Sequence, residues 1–183
     1  LEFVIDSIKT LQEKYTVRRF EFIDDSLPAK FLKKIAEEII KNNLDIQWCS
    51  RANVQEEFKD VEFVKLLKRS GCASLYFGVE SGNDRIMKLM KKMQLGKESV
   101  QRVMDTVSSQ NIQAVTYMMF GFPTETKKEA EESLDFFIKL KRDYHCATSS
   151  ASAFNLVPGT AVFDHPEEYK ITKIHTDTKK ASQ

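Results

Sequence analysis

Apolar positions along the chain fall into two alternating patterns. Phe3, Val4, Ile8 and Leu11 recur at the spacing that lines one face of a helix, and Phe31, Leu32, Ile35, Ile39 and Ile40 repeat it further on. Between and after them come short runs rich in aromatic and β-branched residues. These are Arg19-Phe-Glu-Phe-Ile23, Ile46-Gln-Trp-Cys-Ser50, Ala73-Ser-Leu-Tyr-Phe-Gly78, Ala114-Val-Thr-Tyr-Met-Met-Phe120 and about 147–156. Each is bounded by Asp, Gly, Pro or Ser, which predicts a strand. Further helices are predicted over 61–69, 84–92, 99–110 and 127–142. Thr126-Lys-Lys-Glu129 has the spacing of a capping box. Ser26 before Leu27-Pro28 reads as a helix start, and Gly71 as a helix stop.

Regular strand–helix alternation predicts a parallel sheet with right-handed crossovers. Five strands can form an open doubly wound sheet or an arc of a (β/α) barrel; a complete barrel takes about 250 residues. Neither Gly-x-Gly-x-x-Gly nor a phosphate loop ending in Gly-Lys-Ser/Thr is present. Starting on a helix is unusual for either fold, so a first strand is expected to be missing. Residues 172–183, rich in Lys, Thr and Ser, read as a loose extension, leaving 1–171 as one domain.

Composition narrows the function classes. Lys+Arg 28 against Asp+Glu 27 leaves a net charge of +1, which gives no support to non-specific nucleic-acid or membrane-surface binding. No apolar run approaches the roughly 20 residues that span a bilayer. Cys49, Cys72 and Cys146 are far apart, which argues against a disulfide framework and for a cytoplasmic location. They are expected to be small buried residues or inert thiols. His145, His165 and His175 have no partnered spacing for a metal or a nucleophilic triad.

Chemistry concentrates at two strand–turn–helix junctions, Tyr76-Phe-Gly-Val-Glu-Ser-Gly82 and Phe120-Gly-Phe-Pro-Thr-Glu-Thr126. Glu80 puts a carboxylate where a strand emerges into a loop, the end of a parallel α/β sheet where ligands sit.

The wording of these turns resembles a family. Gly78-Val-Glu-Ser-Gly82, Ile86-Met-Lys-Leu-Met-Lys-Lys92, Gly121-Phe-Pro-Thr-Glu-Thr126 and Pro158-Gly-Thr160 follow in order, with Phe22-Ile-Asp-Asp25 and Trp48-Cys-Ser-Arg51 before them. Together, over about residues 1–170, they resemble the radical S-adenosylmethionine superfamily, in the branch often fused to cobalamin-binding domains. The resemblance implies a partial TIM-type (β/α) barrel, with the present strands as the second to sixth of a six-stranded arc. It also implies a parent enzyme, an iron–sulfur oxidoreductase or a methyl or thiomethyl transferase. Such a parent binds S-adenosylmethionine at the strand ends and carries a 4Fe-4S cluster, with cobalamin possible. The family's Cys-x-x-x-Cys-x-x-Cys motif is absent, and its expected place is just before residue 1. A chain without that loop is not expected to cleave S-adenosylmethionine.

Site residues follow from the same resemblance. Glu80 is expected to accept from a ribose hydroxyl or the methionyl ammonium. Asp24 and Asp25 end the second family strand near the methionyl amine, although Asp25 and Ser26 could equally begin a turn and cap a helix. Ser50 and Arg51 end the third strand, where an Arg could pair a carboxylate through two prongs. Lys92 falls where some relatives carry a basic residue, and a helix-end lysine explains it as well. Phe120 and Gly121 allow close approach of adenine at the fifth strand, and Asn155 ends the sixth. Met118 and Met119 are expected to be barrel packing. No residue is assigned to catalysis or to a metal. Partners are a small-molecule cofactor and a substrate that the sequence does not reveal, with homodimerisation possible through an exposed sheet edge. The alternatives are a non-catalytic barrel scaffold, and an unrelated barrel enzyme using Glu80 and Asp25 as acid and base.

Overall fold

In the computed structural model, which describes residues 1–90, 96–144 and 148–174 (148–150 by backbone only), each predicted run becomes a strand. They are β1 (Arg19–Phe22), β2 (Gln47–Ala52), β3 (Cys72–Glu80), β4 (Gln113–Phe120) and β5 (Thr148–Ala153). The helices are α1 (Glu2–Tyr15), α2 (Ala29–Lys41), α3 (Val61–Arg69), α4 (Asp84–Leu89), α5 (Lys97–Ser109), α6 (Lys127–Tyr144) and the short α7 (Ala161–Asp164). Single 3-10 turns at Glu56–Lys59 and Pro166–Tyr169 complete the chain.

Every strand pairing is parallel and the strand order is β1-β2-β3-β4-β5. A doubly wound sheet reverses its order at a switch point and takes helices on both faces. An unreversed order with right-handed crossovers keeps the helices on one side and curls the sheet around the other. The architecture is therefore a partial (β/α) barrel of TIM type.

Burial shows the two faces. On β2, Trp48, Ser50 and Ala52 are buried, and on β3 so are Leu75, Phe77 and Val79. Apart from Ser50, they join Leu32, Ile35 and Ile39 of α2, Val64 and Leu67 of α3, and Val103 and Val107 of α5 in one core. Each such side chain contributes about 1.5–3 kcal/mol by leaving water. The alternate residues Cys49, Arg51, Ser74 and Tyr76 remain partly accessible on the concave face. Met118 packs in the core, as expected. A second, smaller apolar cluster sits beyond the strand ends, where Phe122 meets Ile86 and Tyr169. Its ring lies edge-on to Phe154 at 5.1 Å and to Tyr169 at 5.8 Å.

The punctuation signals mostly hold. The Thr126 N–H donates to Glu129 Oε2 at 2.9 Å, and the Glu129 N–H donates back to Thr126 Oγ1 at 3.3 Å. Helix α3 stops at Ser70, and Gly71 follows with φ +92°. The reading of Ser26 as a helix start is corrected: Pro28 is the N-cap residue of α2 and caps with no side chain. The Leu27 N–H donates to the Arg51 carbonyl at 3.0 Å, drawing the loop onto β2, and Gln55 Oε1 accepts the Ala29 N–H at 2.7 Å instead. Among the described residues, no helix is long and apolar enough to cross a membrane.

Candidate functional site

At the carboxyl ends of the strands, on the concave face, lies a cavity of about 100 Å³. Its lining includes Asp25, Arg51, Asn53, Tyr76, Gly78, Glu80 and Tyr117. A larger groove of about 450 Å³ lies on the outer surface, lined by residues of α1 and α2, but it has no strand end in it. The position of the smaller cavity, where β1 to β4 and the loops after them deliver side chains to one mouth, makes it the candidate site.

Glu80 is placed there by two unusual backbone features. The β3–β4 register shifts between Gly78 and Glu80, so that β3 carries a bulge at Val79. Glu80 itself has φ +68°, a left-handed conformation costing an L-residue roughly 1–2 kcal/mol. Bulges re-aim side chains beside active sites, and strain of this kind collects at ligand sites. The carboxylate folds back over Gly78: a Cβ on that residue would lie 2.6 Å from Glu80 Oε1. Gly78 is therefore small because Glu80 occupies the space above it, and Glu80 is 9% exposed.

The rest of this turn docks on α6. Ser81 Oγ lies 2.9 Å from Ser133 Oγ, which also accepts the Gly82 N–H at 3.0 Å. A Cβ on Gly82 would come within 2.6 Å of Phe136 Cβ and 2.7 Å of Ser133 Cα. Asn83 caps α4 by accepting the Arg85 and Ile86 N–H groups, and donates to Glu132 Oε2 at 2.6 Å.

On the neighbouring strand, just past the end of β4, Gly121 does not line the cavity; it has φ +79°, and apart from its chain neighbours nothing stands within 4 Å of where a Cβ would be. Its N–H donates to Glu125 Oε2 at 2.5 Å, while the buried Glu125 Oε1 has no hydrogen-bond partner among the described residues. Thr124 in the same turn is also left-handed, with φ +73°.

The other expected site residues divide. Asp25 and Arg51 reach the cavity; Arg51 lies 3.9 Å from Glu21 and donates to the Ile23 carbonyl at 3.3 Å. Asp24 is exposed beside Asp25 without lining it. Ser50 is fully buried on the helix-facing side of β2, with its hydroxyl donating to the Arg51 carbonyl at 3.1 Å, so the structure does not bring it to the mouth. Phe120 packs against the main core, and its carbonyl accepts the Phe154 N–H at 2.8 Å. Asn155 is exposed in the loop after β5 and does not line the cavity. Lys92, Cys146, His145 and His175 lie outside the described residues.

Sequence reasoning missed Asn53, Tyr76 and Tyr117. A period-two reading back from Gly78 reaches Tyr76, and the parallel register Gly78↔Tyr117 brings in the second ring. The two rings stack with centroids 6.3 Å apart. Burial pushes the Cys49 thiol up, opposed by its hydrogen bond with Tyr76 and reinforced by Glu21. Burial likewise holds Cys72 protonated. Among the described residues, no three His, Cys, Asp or Glu side chains stand together as metal ligands.

The family model for the Radical SAM superfamily matches residues 1–137, and the chain belongs to that superfamily. It is 30% identical over 167 residues to an uncharacterized methyltransferase of Pyrococcus horikoshii, covering 90% of this chain and 35% of that protein. It is 28% identical over 188 residues to bacteriochlorophyllide d C-12(1)-methyltransferase of Chlorobaculum tepidum, covering 98% of this chain and 38% of that protein. Its fold resembles the radical S-adenosylmethionine methyltransferase TsrM of Kitasatospora setae, solved with cobalamin and a 4Fe-4S cluster bound. There the TM-score is 0.73 at 17% identity, over 90% of this chain and 33% of that one. The chain thus spans little more than a third of the curated relatives it matches.

Proposed function

We propose that this chain is the S-adenosylmethionine-binding core of a radical S-adenosylmethionine methyltransferase. The observation that carries the reading is Glu80, whose carboxylate a strained bulge holds over Gly78 in the mouth of a parallel half-barrel. The two curated relatives named as methyltransferases support methyl transfer as the reaction class.

The mouth fits the cofactor's polar groups. Glu80 accepts from a ribose hydroxyl or the methionyl ammonium, and Asp25 offers a second acceptor in the same lining. Arg51 supplies the complementary cation for the methionyl carboxylate. Gly121 leaves an open face where a planar base can approach the backbone. When bound, S-adenosylmethionine supplies an activated carbon–sulfur bond; this chain binds it, orients it and limits its exposure to water. A 4Fe-4S cluster does not fit these residues: the Cys-x-x-x-Cys-x-x-Cys spacing is absent from the sequence, and among the described residues the free thiols are Cys49 on β2 and Cys72 on β3, with no cluster of metal ligands. Reductive cleavage is therefore not assigned to this chain alone, and cobalamin would belong to other parts of the whole protein. The separated free thiols accord with a reducing cytoplasm.

The test is anaerobic reconstitution of the whole protein with iron and sulfide, followed by assay for reductive cleavage of S-adenosylmethionine. Formation of 5′-deoxyadenosine or of a methylated product is expected. A clustered protein that binds no S-adenosylmethionine contradicts the reading.

A further inference from the structure

The turns that follow the neighbouring strands β3 and β4 are joined by a side chain that does not line the cavity. Arg85, in the first turn of α4, reaches across to the turn after β4. Its Nε donates to Glu129 Oε1 at 2.5 Å and its Nη2 to Glu129 Oε2 at 2.7 Å, a two-pronged ion pair. Nη2 also donates to the Thr124 carbonyl at 2.8 Å, and Nη1 to the Thr124 hydroxyl at 3.1 Å.

Thr124 holds a left-handed backbone that an L-residue adopts only when its surroundings over-determine it. Arg85 supplies that constraint through both the carbonyl and the hydroxyl. Glu129 is fixed in turn by the Thr126 cap at the start of α6. One turn further along α6, Glu132 and Ser133 receive Asn83 and Gly82 from the other motif. Residues at i, i+3 and i+4 share a helix face, so one stripe of α6 grips both turns.

We propose that Arg85 is a positioning residue for the cofactor site. Its guanidinium ties the Gly121–Thr124 turn to α4 and α6, so that Gly121 and Glu80 keep a fixed separation at the ends of the neighbouring strands β4 and β3. The inference rests on the reading of Glu80 and Gly121 as cofactor contacts. A lysine cannot replace this clamp, because an ammonium is a point donor without the planar fork.

The experiment is a double-mutant cycle on S-adenosylmethionine affinity in the reconstituted whole protein, using Arg85→Ala, Glu80→Ala and the pair, with Arg85→Lys beside them. Expected are roughly tenfold or larger losses for each single alanine variant, an intermediate loss for Arg85→Lys, and a double variant no weaker than Glu80→Ala alone. Exogenous guanidinium at low concentration should restore part of the affinity of Arg85→Ala and leave Glu80→Ala unchanged. The non-additivity with Glu80→Ala is the readout that a merely structural arginine would not show. Unchanged affinity in Arg85→Ala beside a weakened Glu80→Ala overturns the clamp and leaves the cofactor reading standing. Losses that add in the double variant also overturn it, since Arg85 would then act independently of Glu80. An inert Glu80→Ala overturns the cofactor reading and the clamp together.

Discussion

At the residue scale, Glu80 trades stability for placement. Its left-handed backbone costs roughly 1–2 kcal/mol, which a glycine would not incur. Glycine would add about 1 kcal/mol of unfolded-state entropy in return. Glu80→Gly relieves the strain but removes the carboxylate, and it is expected to lose S-adenosylmethionine affinity while keeping the folded circular-dichroism spectrum. A strongly destabilised variant would show that Glu80 serves the fold. The motif around it was legible in sequence because glycines flank the carboxylate on both sides. Its reasons were not: Gly78 is small to admit the Glu80 carboxylate, and Gly82 to admit α6. Ser50 was placed at the site on strand position alone, and the alternation that buries Trp48 and Ala52 turns it toward the helices.

At the scale of elements, the strands and most helices could be read because periodicity is local. The bulge at Val79, the capping of α2 by Gln55 and the Arg85–Glu129 pair could not. The last joins residues 44 apart in sequence, and no periodic pattern marks such a pair. Two consequences belong to this scale. Gly82→Ala pushes a methyl group into Phe136 and the backbone of Ser133, and overpacking of this kind costs about 1–3 kcal/mol. Chemical denaturation should show that loss; a neutral result would mean that α6 yields easily. The second concerns acid. Hydrogen bonds from Arg85, then from Thr126, lower the Glu129 carboxyl from 4.5 to about 2. A carboxylate whose folded pKa is depressed stabilises fully above its unfolded value, and the gain is lost as pH falls through the folded one. Wild type and Glu129→Gln should therefore differ in thermal midpoint at neutral pH and converge between pH 4.5 and about 2. A constant gap across that range would remove the ion pair from the stability of the turns.

For the whole molecule, an unreversed parallel order matters more than any single motif. It gathers the carboxyl ends of β1 to β4 around one mouth, with the main core on the helix side and the small cluster about Phe122 beyond the strand ends. The central claim is that this mouth holds S-adenosylmethionine through Glu80. The most direct measurement is the equilibrium affinity of the reconstituted whole protein for S-adenosylmethionine, wild type against Glu80→Ala, with folding checked by circular dichroism. Loss of a charge-assisted hydrogen bond predicts binding weaker by roughly tenfold or more with the fold intact. Equal affinity in the two proteins would contradict the claim.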